Sequence, residues 1–392
     1  MIGAGVFAAP GPAAAAAGSW LLVGLALAAL VAYANATSSA MLAARYPEAG
    51  GTYVYAREQL GGYWGFLAGW SFVVGKTASL SAMALTFGSY VAPDAARPLA
   101  VAAVVVLAVV NTRGVDKTVK LSRVILAVVL AALAAIVVAL WVGGAPSGAR
   151  LTGELPRGAF GVLESGGLLF FAFAGYARLA TLGEEVRDPT VTIPRAIPRA
   201  LGIVVALYAV LLTTLLLAAG PEVLAEARDP LAAAVAAAGL GWLVPMVRVG
   251  AAVAAAGVLL SLLAGVSRTA LSMARRRELP AVLDRVHPVH RTPHVAELTA
   301  AAVVVAIVLV ADLRGAIGFS SFAVLTYYAL ANASAWTLPP GERRWPRPLA
   351  GLGVVLCVLL ACTLPLVAVT GGAALLATGS LVWLLTRSRR PT

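Results

Sequence analysis

The sequence predicts an all-α polytopic membrane protein of about twelve transmembrane helices, the first truncated in its N-terminal half, with ten of the twelve forming a 5+5 inverted repeat. Three observations predict it. Of the 392 residues 61% are hydrophobic, 39 are glycine and only 12% are charged; that is about half the charge of a water-soluble domain, too little to coat a globule in water. The apolar residues fall in stretches long enough to cross about 30 Å of hydrocarbon. A glycine-centred interruption near the start recurs about 170 residues later. The same composition excludes disordered, collagenous and coiled-coil classes. Two cysteines, Cys357 and Cys362, make no disulfide framework, and their spacing puts them on different faces of one helix.

In chain order, residues 1 to 17 read as part of a first span. Eleven more follow at 20 to 43, 63 to 91, 98 to 112, 120 to 143, 161 to 182, 198 to 219, 243 to 273, 295 to 311, 315 to 338, 348 to 368 and 372 to 386. The uncharged run from Pro348 to Thr386 is divided by a tight turn expected at Gly371-Gly372. The apolar stretch from Leu231 to Val247 is ambiguous. A thirteenth span there would throw the arginine-rich 275 to 291 loop outside, so Asp229 to Gly239 is expected as an extracellular helix lying at the interface.

With twelve spans and a cytoplasmic start, twenty-one lysines and arginines face the cytoplasm and five face outside, while Lys76, Arg178 and Arg248 lie in the membrane. Lysine and arginine mark the cytoplasmic side. Both termini are therefore expected in the cytoplasm, and the protein in the cell (inner) membrane. The net charge of +12 is then topology, not a nucleic-acid-binding face. The first basic residue is Arg45, so the alanine-rich start lacks the basic region of a cleaved secretory signal.

Backbone groups are not left unpaired in lipid, so glycine or proline inside a span marks a place lined by protein or water. Met1-Ile2-Gly3-Ala4-Gly5-Val6-Phe7 precedes Pro10-Gly11-Pro12, and Phe171-Ala172-Phe173-Ala174-Gly175-Tyr176 repeats a glycine flanked by aromatic and small residues. Each opens a block of five spans, and an odd number of spans inserts the second block upside down relative to the first. The expected units are residues 1–143, a first repeat with a truncated start; 144–338, the inverted second repeat; and 339–392, two additional spans and a cytoplasmic tail. The alternative for either interruption alone is close helix packing on small residues. Because the sequence opens inside the first interrupted helix, a true start upstream of Met1 is expected.

The pattern becomes specific in Ile2-Gly3-Ala4-Gly5-Val6-Phe7, Tyr46-Pro47-Glu48-Ala49-Gly50-Gly51-Thr52-Tyr53-Val54-Tyr55, Gly69-Trp70, Asn111-Thr112-Arg113-Gly114, and Phe171 through Glu184-Glu185-Val186-Arg187-Asp188-Pro189 to Ile193-Pro194-Arg195-Ala196. Met273-Ala274-Arg275, Leu279-Pro280 and Thr292-Pro293 follow. In this order the residues resemble the amino acid-polyamine-organocation (APC) superfamily of amino acid permeases. The resemblance implies a leucine-transporter-type fold and a secondary active transporter, in which spans 1, 2, 6 and 7 rock against the rest. It also implies a substrate held at mid-membrane, with its carboxylate on amides of the first interruption and its ammonium on freed carbonyls of both. The substrate-binding candidates it implies are Ile2, Gly3, Ala4, Gly5 and Val6 with Phe173, Ala174, Gly175 and Tyr176; Phe173 or Tyr176 would close over the substrate. Helix N-termini carry positive partial charge and unwound carbonyls are open acceptors, so such a pair suits a zwitterion without a charged side chain or a cofactor.

Relatives with cationic substrates carry an acid in the third span and a lysine in the fifth; the corresponding places here are Gly75 or its neighbour, and Val129. The resemblance therefore implies a neutral amino acid, with a proton or sodium ion as coupling partner. Lys76 lies 13 residues from Tyr63 and 14 from Tyr90, about 20 Å along a helix from either end. A lysine at mid-bilayer costs at least about 2.5 kcal/mol on insertion scales. It is expected to substitute for the missing fifth-span lysine, to oppose an anionic group of the substrate, or to bond a carbonyl at an unwound segment. Arg178 and Glu185 are candidates for an ion pair at the cytoplasmic exit, and Glu184 and Glu185 for an inner gate or an interfacial position. Arg248 is expected to snorkel to the outer surface. Ser261, Ser267 and Thr269 offer hydroxyls where the fold can hold sodium, or ordinary bonds to helix carbonyls.

Rival classes are weighed on the same residues. Gly75-Lys76-Thr77 is no phosphate loop, because Trp70 stands where the first glycine is required. His287, His290 and His294 share one loop, without zinc-ligand spacing. An intramembrane enzyme would need a Ser/Lys dyad of Lys76 with Ser79 or Ser81, and a passive channel is the remaining alternative.

Overall fold

The computed structural model describes residues 2–47, 50–114, 119–153, 155–176 and 188–386. The described residues form sixteen α-helices and no strand. Helices α1 (Gly5–Ala8), α2 (Pro10–Ala17) and α3 (Leu21–Arg45) come first, then the short α4 (Thr52–Leu60), the 30-residue α5 (Gly62–Val91), α6 (Ala96–Thr112) and α7 (Val119–Gly143). Next are α8 (Gly158–Phe173), α9 (Pro189–Ala219), the short α10 (Pro221–Glu226) and α11 (Pro230–Ala237), then α12 (Val244–Arg275), α13 (His294–Val310) and α14 (Leu313–Trp336). Helices α15 (Arg347–Cys362) and α16 (Leu366–Thr386) end the described chain. Helices α2, α9, α10 and α11 each start on a proline, where the missing N–H has no partner to lose.

Seven stretches are long and apolar enough to cross a membrane by length and composition: Pro10–Arg45, Pro93–Thr112, Arg123–Gly143, Val191–Ala219, Gly241–Arg275, Leu313–Trp336 and Leu366–Thr386. Three shorter apolar helices, Gly158–Phe173, His294–Val310 and Arg347–Cys362, accompany them. The molecule is a polytopic, all-helical membrane protein. Its outer faces are apolar and bare: Val142 is 85% exposed and Val310 83%, a surface suited to hydrocarbon and not to water.

Helix α5 is less apolar than these because its surroundings are protein. It packs lengthwise on α14 and α12, and buries Ser71, Lys76, Thr77, Ser79 and Ser81. At Gly75 an added Cβ would lie 2.5 Å from that of Ala323, so small residues set the approach to α14, as they do between membrane helices generally. Ser79 and Ser320 share a 2.5 Å hydrogen bond across this seam. On the far side of α14, Asn332 donates to Asn35 of α3 at 2.6 Å, and the Cys357 thiol donates to the same Asn35 oxygen at 3.2 Å.

Three boundaries differ from expectation. The final turn lies not at Gly371-Gly372 but between Cys362 and Leu366: Pro365 has no N–H to continue α15, and both glycines sit inside α16, where they admit the rings of Phe319 and Phe322. Helix α9 begins nine residues before the expected 198 and carries Pro194 and Pro198 within it. The α-helix of the expected 161 to 182 span ends at Phe173. A separate helix does form over Pro230–Ala237, and its Leu231, Ala234 and Val235 are buried by the protein.

Candidate functional site

Residues 2–4 are not helical, and α1 starts at Gly5. Of the interruption expected over Ile2–Val6, Ile2, Gly3 and Ala4 therefore lie outside helix, while Gly5 and Val6 already belong to its first turn. That turn closes on itself: the amides of Phe7 and Ala8 both return to the Ala4 carbonyl, at 3.0 and 3.1 Å. At the second interruption α8 ends at Phe173, and Ala174–Tyr176 tightens into a single 3-10 turn. The two segments meet. A Cβ on Gly5 would lie 2.8 Å from the Cα of Ala172, a backbone approach that only glycine allows, and a Cβ on Gly3 would lie 2.6 Å from a methyl of Val258 in α12.

A helix that stops leaves its last carbonyls without intrahelical donors, and in lipid these must be satisfied by other means. Side chains from two helices do so here. Lys76 Nζ of α5 donates to the Ala174 carbonyl at 3.2 Å, the Tyr208 hydroxyl of α9 donates to Ala172 at 3.2 Å, and the Tyr90 hydroxyl at the end of α5 donates to Phe7 at 2.9 Å. Tyr90 also accepts the amide of Leu231 in α11 at 3.3 Å, tying that short helix to α1. Of the alternatives open to Lys76, the structure contains a bond to a backbone carbonyl, that of Ala174 in the 3-10 turn.

Among the other candidates, Phe173 is buried with its ring 5.1 Å from that of Tyr208, and Gly175 is exposed. Tyr176 ends the 3-10 turn. Arg178, Glu184 and Glu185 lie outside the described residues. Ser261, Ser267 and Thr269 each donate to a carbonyl three or four residues back, those of Val258, Ala264 and Gly265. Arg248 pairs with Asp229 at 3.2 Å, and its side chain is partly exposed. The Ser/Lys dyad does not form: Ser79 is engaged with Ser320 and Ser81 with the carbonyls of Thr77 and Val304, while Lys76 points to Ala174.

One cavity lies between the two interruptions, lined by Gly5, Val6, Ala9, Leu169, Ala172 and Tyr208 among others, with a volume of about 10 Å³. That is room for about one water molecule, so at this cavity the segments are closed on each other.

Sequence reasoning missed Tyr90 and Tyr208. It also missed a cluster beyond the C-terminus of α12. Glu278, 1% exposed, accepts the Tyr53 hydroxyl at 2.7 Å and pairs with Arg57, and Arg57 also stacks over the Tyr53 ring. Burial first, and then the Glu278 charge, push the Tyr53 phenol above its ordinary value.

Residues 1–386 match the sequence profile of the family described as amino acid permease. The chain belongs to that family. The membership confirms the superfamily expected from the motifs. The permease is similar to an uncharacterized transporter of Mycobacterium tuberculosis, 57% identical over all of this chain and 90% of that protein. It is similar to the serine/threonine exchanger SteT of Bacillus subtilis, 29% identical over 88% of this chain and 82% of that protein. The branched-chain amino acid permease BcaP of the same organism is 25% identical over 76% of this chain and 68% of that protein. These are the names of transporters, and they point away from an enzyme.

Proposed function

We propose that this permease is a secondary active transporter that moves neutral amino acids across the cytoplasmic membrane by alternating access, coupled to a proton or sodium gradient. The observation that carries the reading is the meeting of the two interrupted segments at Gly5 and Ala172, with carbonyls of the ended helix held by side-chain donors. Such carbonyls are acceptors for a substrate ammonium, and the amides of Gly5 and Val6, at the open start of a helix, are donors for its carboxylate. Ile2 to Val6 and Phe173 to Tyr176 then form the two walls of the site. Arg178, Glu184 and Glu185 belong to its cytoplasmic exit, and Ser261 to the coupling-ion region.

The arrangement proposed around it is twelve spans with both termini cytoplasmic, a leucine-transporter-type 5+5 inverted repeat of residues 1–143 and 144–338, and two additional helices in 339–392. The contact of α1 and α2 with α8 supports this arrangement, since the two helices that open the repeats are expected side by side. The names of the serine/threonine and branched-chain relatives support a neutral substrate, as does the absence of an acid at Gly75.

The test is uptake into proteoliposomes of a panel of neutral, acidic and basic amino acids, each with and without a sodium or pH gradient. The expected result is accumulation of at least one neutral amino acid above its external concentration, driven by one of the gradients. Equilibration without accumulation would make the protein a passive channel, and no uptake of any amino acid would end the reading.

A further inference from the structure

Lys76 does more than fill a hydrogen bond. It is 5% exposed, it stands near the middle of the 30-residue α5, and its ammonium meets the Ala174 carbonyl at 3.2 Å. An ammonium carries three N–H donors and a full charge, and in a lipid-embedded interior a charge is stable when it is paired. Among the described residues the ion pairs join Arg45 to Glu342, Arg57 to Glu278, Arg157 to Glu164, Arg248 to Asp229 and Arg275 to Asp284. None of them serves Lys76. The site therefore holds a cation beside the second interruption whose countercharge the described protein does not supply.

The group on the Ala174 carbonyl is chemically the same as the α-ammonium of an amino acid. The oxygen's two lone pairs can accept both, but a zwitterion bound there brings a second cation next to the first. A solute with a carboxylate and no α-ammonium would bring one negative charge to meet one positive. We propose that Lys76 is the cationic half of the substrate site, standing in for a solute's ammonium at Ala174, so that the permease also takes monocarboxylates of amino-acid size. This rests on the permease reading above and extends its substrate class.

The test pairs each amino acid with the carboxylate made by replacing its amino group with hydrogen: L-alanine with propanoate, L-serine with 3-hydroxypropanoate, L-leucine with 4-methylpentanoate. Binding to the purified wild-type protein is measured by calorimetry or by competition against the labelled amino acid, and repeated in Lys76→Met and Lys76→Gln. Gln keeps a donor for Ala174 and discards the charge. In the wild type at least one carboxylate is expected to bind with an affinity near that of its amino acid. In both variants the ratio of carboxylate to amino acid dissociation constants is expected to rise at least about tenfold, as for the loss of one partner of a buried charge pair. Amino acid binding without binding of any analogue to the wild type overturns the proposal, whatever the variants do. A ratio unchanged in Lys76→Gln overturns it too, since the hydrogen bond alone would then account for the residue. If neither amino acids nor carboxylates bind, the permease reading itself has failed, a pattern distinct from loss of the analogues only.

Discussion

Two tyrosines show how a single hydroxyl makes an interrupted helix tolerable in lipid. Tyr208 is fully buried, its ring against Phe173 and its hydroxyl on the Ala172 carbonyl. Tyr208→Phe keeps the ring and strands the carbonyl, so a loss of about 1–3 kcal/mol is expected, read as a lower unfolding temperature in detergent. Tyr90→Phe is expected to cost more, because one hydroxyl serves both the Phe7 carbonyl and the Leu231 amide. Equal melting temperatures for the two variants would mean that the second bond contributes nothing. Neither tyrosine stood out in the sequence, where an aromatic residue in an apolar run looks like packing. The signal was present in a different form: an interruption in lipid requires donors, and the donors come from helices far away in sequence. Lys76 was legible because its charge is conspicuous in a span; its partner 98 residues on was not.

At the scale of elements, α4 is held against the end of α12 by Glu278, which accepts from Tyr53 and pairs with Arg57. Glu278→Gln removes the charge that both groups face. Faster amide exchange across Thr52–Leu60 is expected, with α5 unaffected. The pH dependence has a definite sign. The folded phenol of Tyr53 titrates above its ordinary value near 10 because burial and Glu278 oppose the phenolate. Its contribution is therefore fully present below pH 10 and is lost as pH rises through the folded value. The difference in unfolding temperature between wild type and Tyr53→Phe is expected to be flat from pH 7 to 9 and to narrow above 10; a difference that widens there would contradict the assignment. The helices themselves were largely legible, since every apolar stretch expected to cross carries one. Their ends were less so. Gly371-Gly372 looks like a turn and serves as a recess for two phenylalanine rings, while the real turn uses Pro365. Glycine has both uses, and only the neighbouring helix decides between them.

For the whole molecule, the polar centre and the apolar outside are organised around α5, which is wrapped by α12 and α14. Gly75→Val would put methyls where Ala323 already sits, an overpacking expected to cost about 1–3 kcal/mol and to slow uptake by wedging α14 away; wild-type stability and rate would show that the seam is loose. How the assembly lies across the bilayer is a separate question that two surface positions can answer. Trp242, just before α12, is 75% exposed, and Val289, in the arginine-rich loop after it, is 76% exposed. Between them α12 runs 32 residues, about 48 Å of helix, enough to cross about 30 Å of hydrocarbon once. In the proposed topology the excess of lysine and arginine on the Val289 side puts that loop in the cytoplasm. In a Cys362→Ala background, Trp242→Cys is expected to react with a membrane-impermeant maleimide on intact cells, and Val289→Cys only after the membrane is opened. Because the two sites are equally exposed, a difference between them reports the side of the membrane and not burial. The opposite labelling order would invert the topology, and equal labelling of both on intact cells would mean that α12 does not separate two compartments.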